Sequence, residues 1–256
     1  MRLLPVVLLL SATGCALAQT IYLAGDSTMA KNGGGSGTGT DGWGQYLSQF
    51  VTLSVVNKAV GGQSARTYSE QGLFDSLVDE VESGDYVIIE FGHNDGSAGS
   101  VDNGKQDAVG DGYNITATVT TSSGTQILIH SFAYYIENAV DAIQAKGGIP
   151  IISSVTPDNI WDGDSIAAGG RFVTYAQSIG TRKGIAYVDH YDYVAQAYDA
   201  LGETEVTTFY PNDHLHTSPE GALVVAEAFV RGLLCGDSSL VDSVNSAGED
   251  VPNGCL

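Results

Sequence analysis

The sequence predicts an α/β protein, a three-layer α/β/α sandwich around a five-stranded parallel sheet with flavodoxin-like winding. Three observations lead there. Apolar runs alternate with amphipathic segments along nearly the whole chain, as parallel strands joined by helices do. The length suits one sizeable core, and no linker-like stretch divides it. Finally, the first internal apolar run, Ile21 to Ala24, breaks abruptly into Gly25-Asp26-Ser27. That break delivers a hydroxyl into a tight turn at a strand tip, where open α/β sheets hold their chemistry.

In chain order, residues 1–18 carry one positive charge at Arg2, an apolar run from Leu3 to Leu10 and a small-residue site at Ala16-Leu17-Ala18. This pattern predicts a secretory signal peptide. A lipoprotein signal cut before Cys15 is the competing reading, but it wants an aliphatic residue where Ala12 stands. Removal of the first 18 of 256 residues leaves 238, expected to form one domain over 19–256. No later apolar run approaches the length of a membrane span.

Strands are expected at Thr20 to Ala24, Leu53 to Asn57, Asp85 to Phe91, Ile149 to Ser154 and Ile185 to Asp189. Helices are expected at Gly42 to Phe50, Gly72 to Glu82, Phe132 to Lys146, Arg171 to Lys183, His190 to Leu201 and Pro219 to Leu234. The last has a clear start: Ser218 as cap, Pro219 at the first helical position and Glu220 in the first turn. Two insertions interrupt the pattern. Gly33 to Gly42 contains a formal G-x-G-x-x-G match at Gly37 to Gly42, but it does not directly follow a strand, so a flexible loop is expected there. Gly96 to Gly124 is polar and acidic, with a β-prone piece from Ile115 to Thr121. It reads as a surface excursion beside the site.

Once the signal has left with Cys15, only Cys235 and Cys255 remain, an even pair in an oxidising compartment. One disulfide pinning the C-terminal tail is expected. Asn114-Ile115-Thr116 is the single N-glycosylation sequon and predicts exposure of Asn114. The formal net charge of −20 becomes −21 without Arg2, with nine basic residues against thirty acidic ones. Such a charge repels nucleic acid and anionic membrane and favours solubility in an acidic medium. There is no P-loop, calcium-loop pattern or zinc-type cysteine spacing.

Four short blocks hold the candidate chemistry, at strand ends or just before the last helix. They are Gly25-Asp26-Ser27, Gly61-Gly62, Gly92-His93-Asn94-Asp95 and Asp213-His214-Leu215-His216. Acyl transfer needs a nucleophile, a base, a group that orients the base and donors for the oxyanion. Ser27, His216 and Asp213 fit the first three roles. Gly62, Asn94 and the Ser27 backbone fit the fourth. Each residue alone also has a plain structural reading: Ser27 as a helix cap, His216 as a packing residue, Asp213, Gly62 and Asn94 as turn formers.

Taken together, the blocks resemble those of the SGNH, or GDSL, hydrolases, and within them the rhamnogalacturonan acetylesterase branch. The resemblance rests on Tyr22 to Ala30, Asp85 to Asp95 and Asp213 to Gly221, with Thr28 where the eponymous motif has Leu. It implies Ser27 as nucleophile and first oxyanion donor, Gly62 and Asn94 as further donors, Asp213 as orienter and His216 as base, with no cofactor. It also implies a secreted esterase that removes O-acetyl groups from a cell-wall polysaccharide. The implied polymer is acidic, so Lys31 and Arg66, close after the first two blocks, are expected to meet its charge. Trp161 is expected to stack on a sugar ring. Acetylated xylan or mannan, or a short-chain lipid, would fit the same blocks. A non-catalytic carbohydrate-binding protein would not need Ser27 and His216, and a metal hydrolase would draw on His93, Asp95, His214 and His216.

Overall fold

The computed structural model describes residues 18–35, 37–96 and 99–256. Except for Ala18, the expected signal peptide lies outside the described residues. The chain runs through β1 (Thr20–Gly25), two 3-10 turns (Trp43–Gln45 and Leu47–Gln49), β2 (Ser54–Asn57), α1 (Ala65–Glu70), α2 (Leu73–Glu80) and β3 (Tyr86–Glu90). There follow β4 (Thr116–Thr120), β5 (Gln126–His130), α3 (Phe132–Ala145), β6 (Ile149–Ser153), β7 (Trp161–Asp162), β8 (Ser165–Ile166) and α4 (Arg171–Lys183). The last elements are β9 (Ala186–Val188), α5 (His190–Leu201), α6 (Glu203–Thr208), α7 (Pro219–Cys235) and α8 (Ser246–Glu249).

The central sheet is parallel, in the order β2-β1-β3-β6-β9. Its members are the five expected strands, each within a residue or two of its expected limits. Because β2 lies on one side of β1 and β3 on the other, the winding reverses between β1 and β3. That reversal opens a crevice at their carboxyl ends, and Ser27 and Asn94 follow these two strands.

Side chains alternate across the sheet with period two, and helices cover both faces. Ile21, Leu23 and Ile88 pack with Trp43, Leu47, Tyr198 and Phe229 on the α5/α7 side. Tyr22, Val87 and Ile89 pack with Tyr68, Phe74, Leu77 and Ile136 on the opposite side. This explains why the strands read as apolar runs rather than half-polar ones.

Two expectations are corrected. Gly42 to Phe50 is not one helix but two 3-10 turns. Two glycines in nine residues weaken the helix, and tight turns still bring both Trp43 and Leu47 into the core. The segment Gly96 to Gly124 is not merely an excursion. Its β-prone piece becomes β4, paired antiparallel with β5. The hairpin closes over Ala108, Val119 and Ile129 as a small cluster of its own. The short helices α1, α6 and α8 and the β7/β8 hairpin also lie beyond the sequence reading.

Cys235 and Cys255 are joined, with Cα atoms 5.5 Å apart, so the tail folds back on the end of α7. Closing a loop of this length is worth about 3 kcal/mol. Arg231 reinforces the return by donating to the carbonyls of Val251 and Pro252. Asn114 is exposed in the turn before β4. No helix among the described residues is long and apolar enough to cross a membrane.

Candidate active site

The turn after β1 closes on itself and so fixes Ser27. Asp26 Oδ1 accepts from the backbone N–H of Thr28 at 2.9 Å and from its hydroxyl at 2.8 Å. The Asp26 carbonyl accepts from Met29 and Ala30. Thr28 therefore has a local reason to carry a hydroxyl where the eponymous motif has Leu. Asp26 itself is buried, which pushes its carboxyl up, while His93 and the Thr28 donors oppose the shift. It serves as a turn former.

His216 arrives from the other end of the chain, just before α7. Asp41 and Thr217 hold that segment with two bonds: Asp41 N–H to the Thr217 carbonyl at 2.8 Å, and the Thr217 hydroxyl to the Asp41 carbonyl at 3.0 Å. Ser218 caps α7 by accepting from Gly221. Placed in this way, His216 Nε2 lies 2.9 Å from Ser27 Oγ, and its Nδ1 lies 2.7 Å from Asp213 Oδ2.

Asp213 Oδ1 accepts the backbone N–H groups of Leu215 at 2.8 Å and His216 at 2.7 Å. Burial alone would raise the Asp213 carboxyl; the bonds from His216 and from the two backbone donors outweigh it and hold it below the ordinary range. A carboxylate accepts, so Nδ1 carries the hydrogen. Nε2 then presents its lone pair to the Ser27 hydroxyl.

Ser27, Lys31, Gly34, Gly62, Asn94 and His216 are among the residues lining a cleft of about 520 Å³. Gly62 has φ +78°, a left-handed conformation that favours glycine. The Asn94 amide is held at both ends: Nδ2 donates to the Gln63 carbonyl at 3.1 Å, and Oδ1 accepts from Lys105 Nζ at 3.3 Å. One Nδ2 hydrogen is left for a ligand.

Sequence reasoning missed two residues here. Gly34 lies against the imidazole, and a Cβ there would come within 3.1 Å of His216 Cγ. Only its place in a glycine-rich loop hints at this. Lys105 stands in a polar insertion that gives no pattern to read.

The structure does not bring Arg66 into the cleft. Arg66 is 4% exposed. Its guanidinium binds Glu70 and Asp102, each at 2.9 Å, and the Gln106 carbonyl at 3.3 Å. These bonds pin the inserted segment to α1. Trp161 is likewise not a lining residue of the Ser27 cleft. It packs on the core, and its indole N–H donates to Asn159 Oδ1 at 2.7 Å. His93 turns toward Thr156 and Asp158, and His214 is exposed. Among the described residues, no group of three or more His, Cys, Asp or Glu is placed to hold a metal.

Beneath Asn94, Asp95 and Asp107 form a buried acidic pair. Asp95 Oδ1 accepts from Ala65 N–H at 2.7 Å. Apart from one another, Asp95 Oδ2 and the two Asp107 side-chain oxygens have no hydrogen-bond partner among the described residues. Burial, then the charge of Asp95, push Asp107 up; burial is also the first cause for Asp95. A proton therefore stays on the pair after free carboxyls would have ionised.

In the unfolded chain both groups ionise at about pH 4. Stability should fall as pH rises above that value, until the folded pair ionises too. Asp107→Asn should reduce the drop in melting temperature between pH 4.5 and 7.5, because an amide can donate to Asp95 without carrying charge. An unchanged drop in thermal unfolding scans would refute this origin.

Residues 21–229 match the GDSL-like Lipase/Acylhydrolase family. The chain belongs to this family. It is a carboxylic ester hydrolase of the GDSL type. It is 46% identical over 248 residues to a rhamnogalacturonan acetylesterase of Emericella nidulans, covering 96% of this chain and 97% of that protein. A probable rhamnogalacturonan acetylesterase of Bacillus subtilis is 25% identical over 85% of this chain and 93% of its own length.

Solved structures share the GDSL fold at lower identity. The Bacillus subtilis protein YxiM matches with a TM-score of 0.69 at 20% identity, over 85% of this chain and 56% of that one. This chain thus spans just over half of YxiM. A catalytic mutant of an acetylxylan esterase from Geobacillus stearothermophilus matches with a TM-score of 0.54 at 16% identity, over 84% of this chain and 94% of that one.

Proposed function

We propose that this GDSL hydrolase is a secreted esterase, with its domain over 19–256, that removes O-acetyl groups from the rhamnogalacturonan backbone of pectin. The observation that carries the chemistry is the unbroken line Ser27 Oγ to His216 Nε2 at 2.9 Å and His216 Nδ1 to Asp213 Oδ2 at 2.7 Å, at the mouth of a cleft. The 46% identity to a protein of that activity supports the choice of polymer.

In this mechanism Ser27 Oγ attacks the acetyl carbonyl as His216 Nε2 takes its proton. Charge builds on the carbonyl oxygen. The free Nδ2 hydrogen of Asn94 and the backbone N–H groups of Gly62 and Ser27 receive it, each donor worth about 2.7–4 kcal/mol in the transition state. Collapse breaks the ester bond, and His216 returns its proton to the departing sugar oxygen. Water then attacks the acetyl-enzyme with His216 again as base. Acetate leaves and Ser27 recovers its hydroxyl.

Acetate release from a panel of acetylated rhamnogalacturonan, xylan and mannan, with a short-chain triglyceride, tests the substrate. The expected result is the highest kcat/KM on rhamnogalacturonan. A clear preference for xylan, mannan or the lipid would overturn the assignment of polymer and leave the esterase chemistry standing.

A further inference from the structure

A chain this acidic should pair its few cations, and most of them are paired. Lys58, Arg66, Lys146, Arg182 and Lys183 each have a carboxylate oxygen within 4.0 Å. Arg231 is held by backbone carbonyls, and the Arg171 guanidinium lies over the Phe172 ring, 4.8 Å from its centroid. Among the described residues, that leaves two ammonium groups with no anionic partner, Lys31 and Lys105.

Both of these lie by the Ser27 cleft, Lys31 as a lining residue and Lys105 through its contact with the lining Asn94. Lys31 is exposed and lines it, four residues beyond Ser27. Lys105 comes from the inserted segment, half-buried. Its Nζ lies 3.5 Å from the position a Cβ on Gly62 would take. Among the described residues its side-chain acceptor is the neutral Asn94 Oδ1, at 3.3 Å. An ammonium carries three donors. With one of them on Asn94, two remain to meet an anionic ligand.

The segment that carries Lys105 is firmly placed. Arg66 binds Asp102 and the Gln106 carbonyl on either side of it, and Asp107 N–H donates to the Asp95 carbonyl at 3.2 Å. The arginine expected to meet the substrate thus positions a lysine that can. Lys31, by contrast, leaves the Ser27 turn itself, so the two cations reach the cleft from separate parts of the chain.

We propose that Lys31 and Lys105 form a carboxylate clamp that holds the acid groups of a uronate-bearing polymer across the Ser27 cleft. The clamp rests on the reading of this site as one for an acidic acetylated polysaccharide. It supplies what the net charge opposes. A polyanion is repelled by the surface as a whole and captured only where positive charge is uncompensated, beside the reacting ester. Specificity for acidic over neutral polymers then comes from two side chains and needs no deep sugar pocket.

The test uses a ligand that is not hydrolysed. Acetyl-free oligogalacturonate, and a neutral oligosaccharide made from it by reducing the carboxyl groups, are measured as inhibitors of 4-nitrophenyl acetate hydrolysis. Wild type is compared with Lys31→Gln, Lys105→Gln and Lys105→Arg. Loss of either charge-assisted contact should raise Ki for the acidic oligosaccharide by about tenfold. It should leave Ki for the neutral one in place, and Lys105→Arg should restore acidic binding.

Three results would overturn the clamp: equal Ki shifts for the two oligosaccharides, no shift for either, or a fall in kcat for Lys105→Gln without any change in Ki. The last would mean that Lys105 acts only through Asn94. Because the readout is inhibition, the clamp can fail while acetylated rhamnogalacturonan is still cleaved. It can also hold where the polymer panel points elsewhere.

Discussion

Ser27→Ala is expected to lower acetate release by roughly 10⁵-fold or more, with His216→Ala comparable and the double variant little worse than either. In the proposed mechanism Ser27 and His216 act as one unit: without Oγ there is nothing for Nε2 to deprotonate, and without Nε2 the hydroxyl stays protonated. Residual activity should come from the oxyanion donors, which neither substitution touches. Ser27 is 4% exposed and its turn is closed by Asp26 and Thr28 rather than by its own side chain. The alanine variant should therefore fold as wild type does. The measurement is kcat on 4-nitrophenyl acetate and on the acetylated polymer, with thermal unfolding as the control. A loss under tenfold with an intact fold would remove Ser27 from the role of nucleophile. Strictly additive losses in the double variant would break the link between Ser27 and His216.

The sheet and the four blocks were legible for the same reason. Each block is a turn whose residue types are set locally; three sit where an apolar strand ends and the fourth just before the well-signalled start of α7, so both signals coincide. Asp213 and His216 are three residues apart and could be paired on the page; their meeting with Ser27, 189 residues away in sequence, follows from both strand-end placement and winding order. Arg66 shows where such reading stops. Its nearness to Gly62 in sequence suggested the cleft, but α1 carries it inward to Asp102, a long-range contact that no local pattern encodes. Lys105 is the converse case, an unremarkable lysine in a polar insertion until β4 and β5 close and the segment is tied down. The hairpin was only half visible. Thr116–Thr120 alternates as a half-buried strand should, whereas Gln126–His130 is a short apolar run leading straight into α3.

The largest loss of stability expected from a single substitution is at Glu90, which is not among the residues lining the Ser27 cleft. Its side chain is 1% exposed. Oε1 accepts from the Trp43 indole N–H at 2.8 Å. Oε2 accepts from the Ser153 hydroxyl at 2.5 Å and lies 2.7 Å from His190 Nδ1. His190 Nε2 faces the Val225 carbonyl at 2.8 Å; since a carbonyl can only accept, Nε2 carries a hydrogen, and Nδ1 and Oε2 share one further proton. This knot ties β3 to β6, α5, α7 and the first 3-10 turn, four residues before Asn94. Glu90→Leu would strand three buried polar groups at once. Breaking such a set costs on the order of 3–5 kcal/mol, which for a chain of this size is a fall of about 6–20 °C in melting temperature. Glu90→Gln should cost much less, because its amide can donate to a neutral Nδ1 and its carbonyl can still accept from Trp43. That contrast, read by calorimetry on both variants, separates hydrogen-bond satisfaction from charge. Equal large losses would mean that the pair must be ionic, and a leucine variant within about 2 °C of wild type would show that the knot carries no stability. Since β3 ends at Glu90, the leucine variant should also lose kcat through a displaced Asn94 while Ser27 and His216 remain in place.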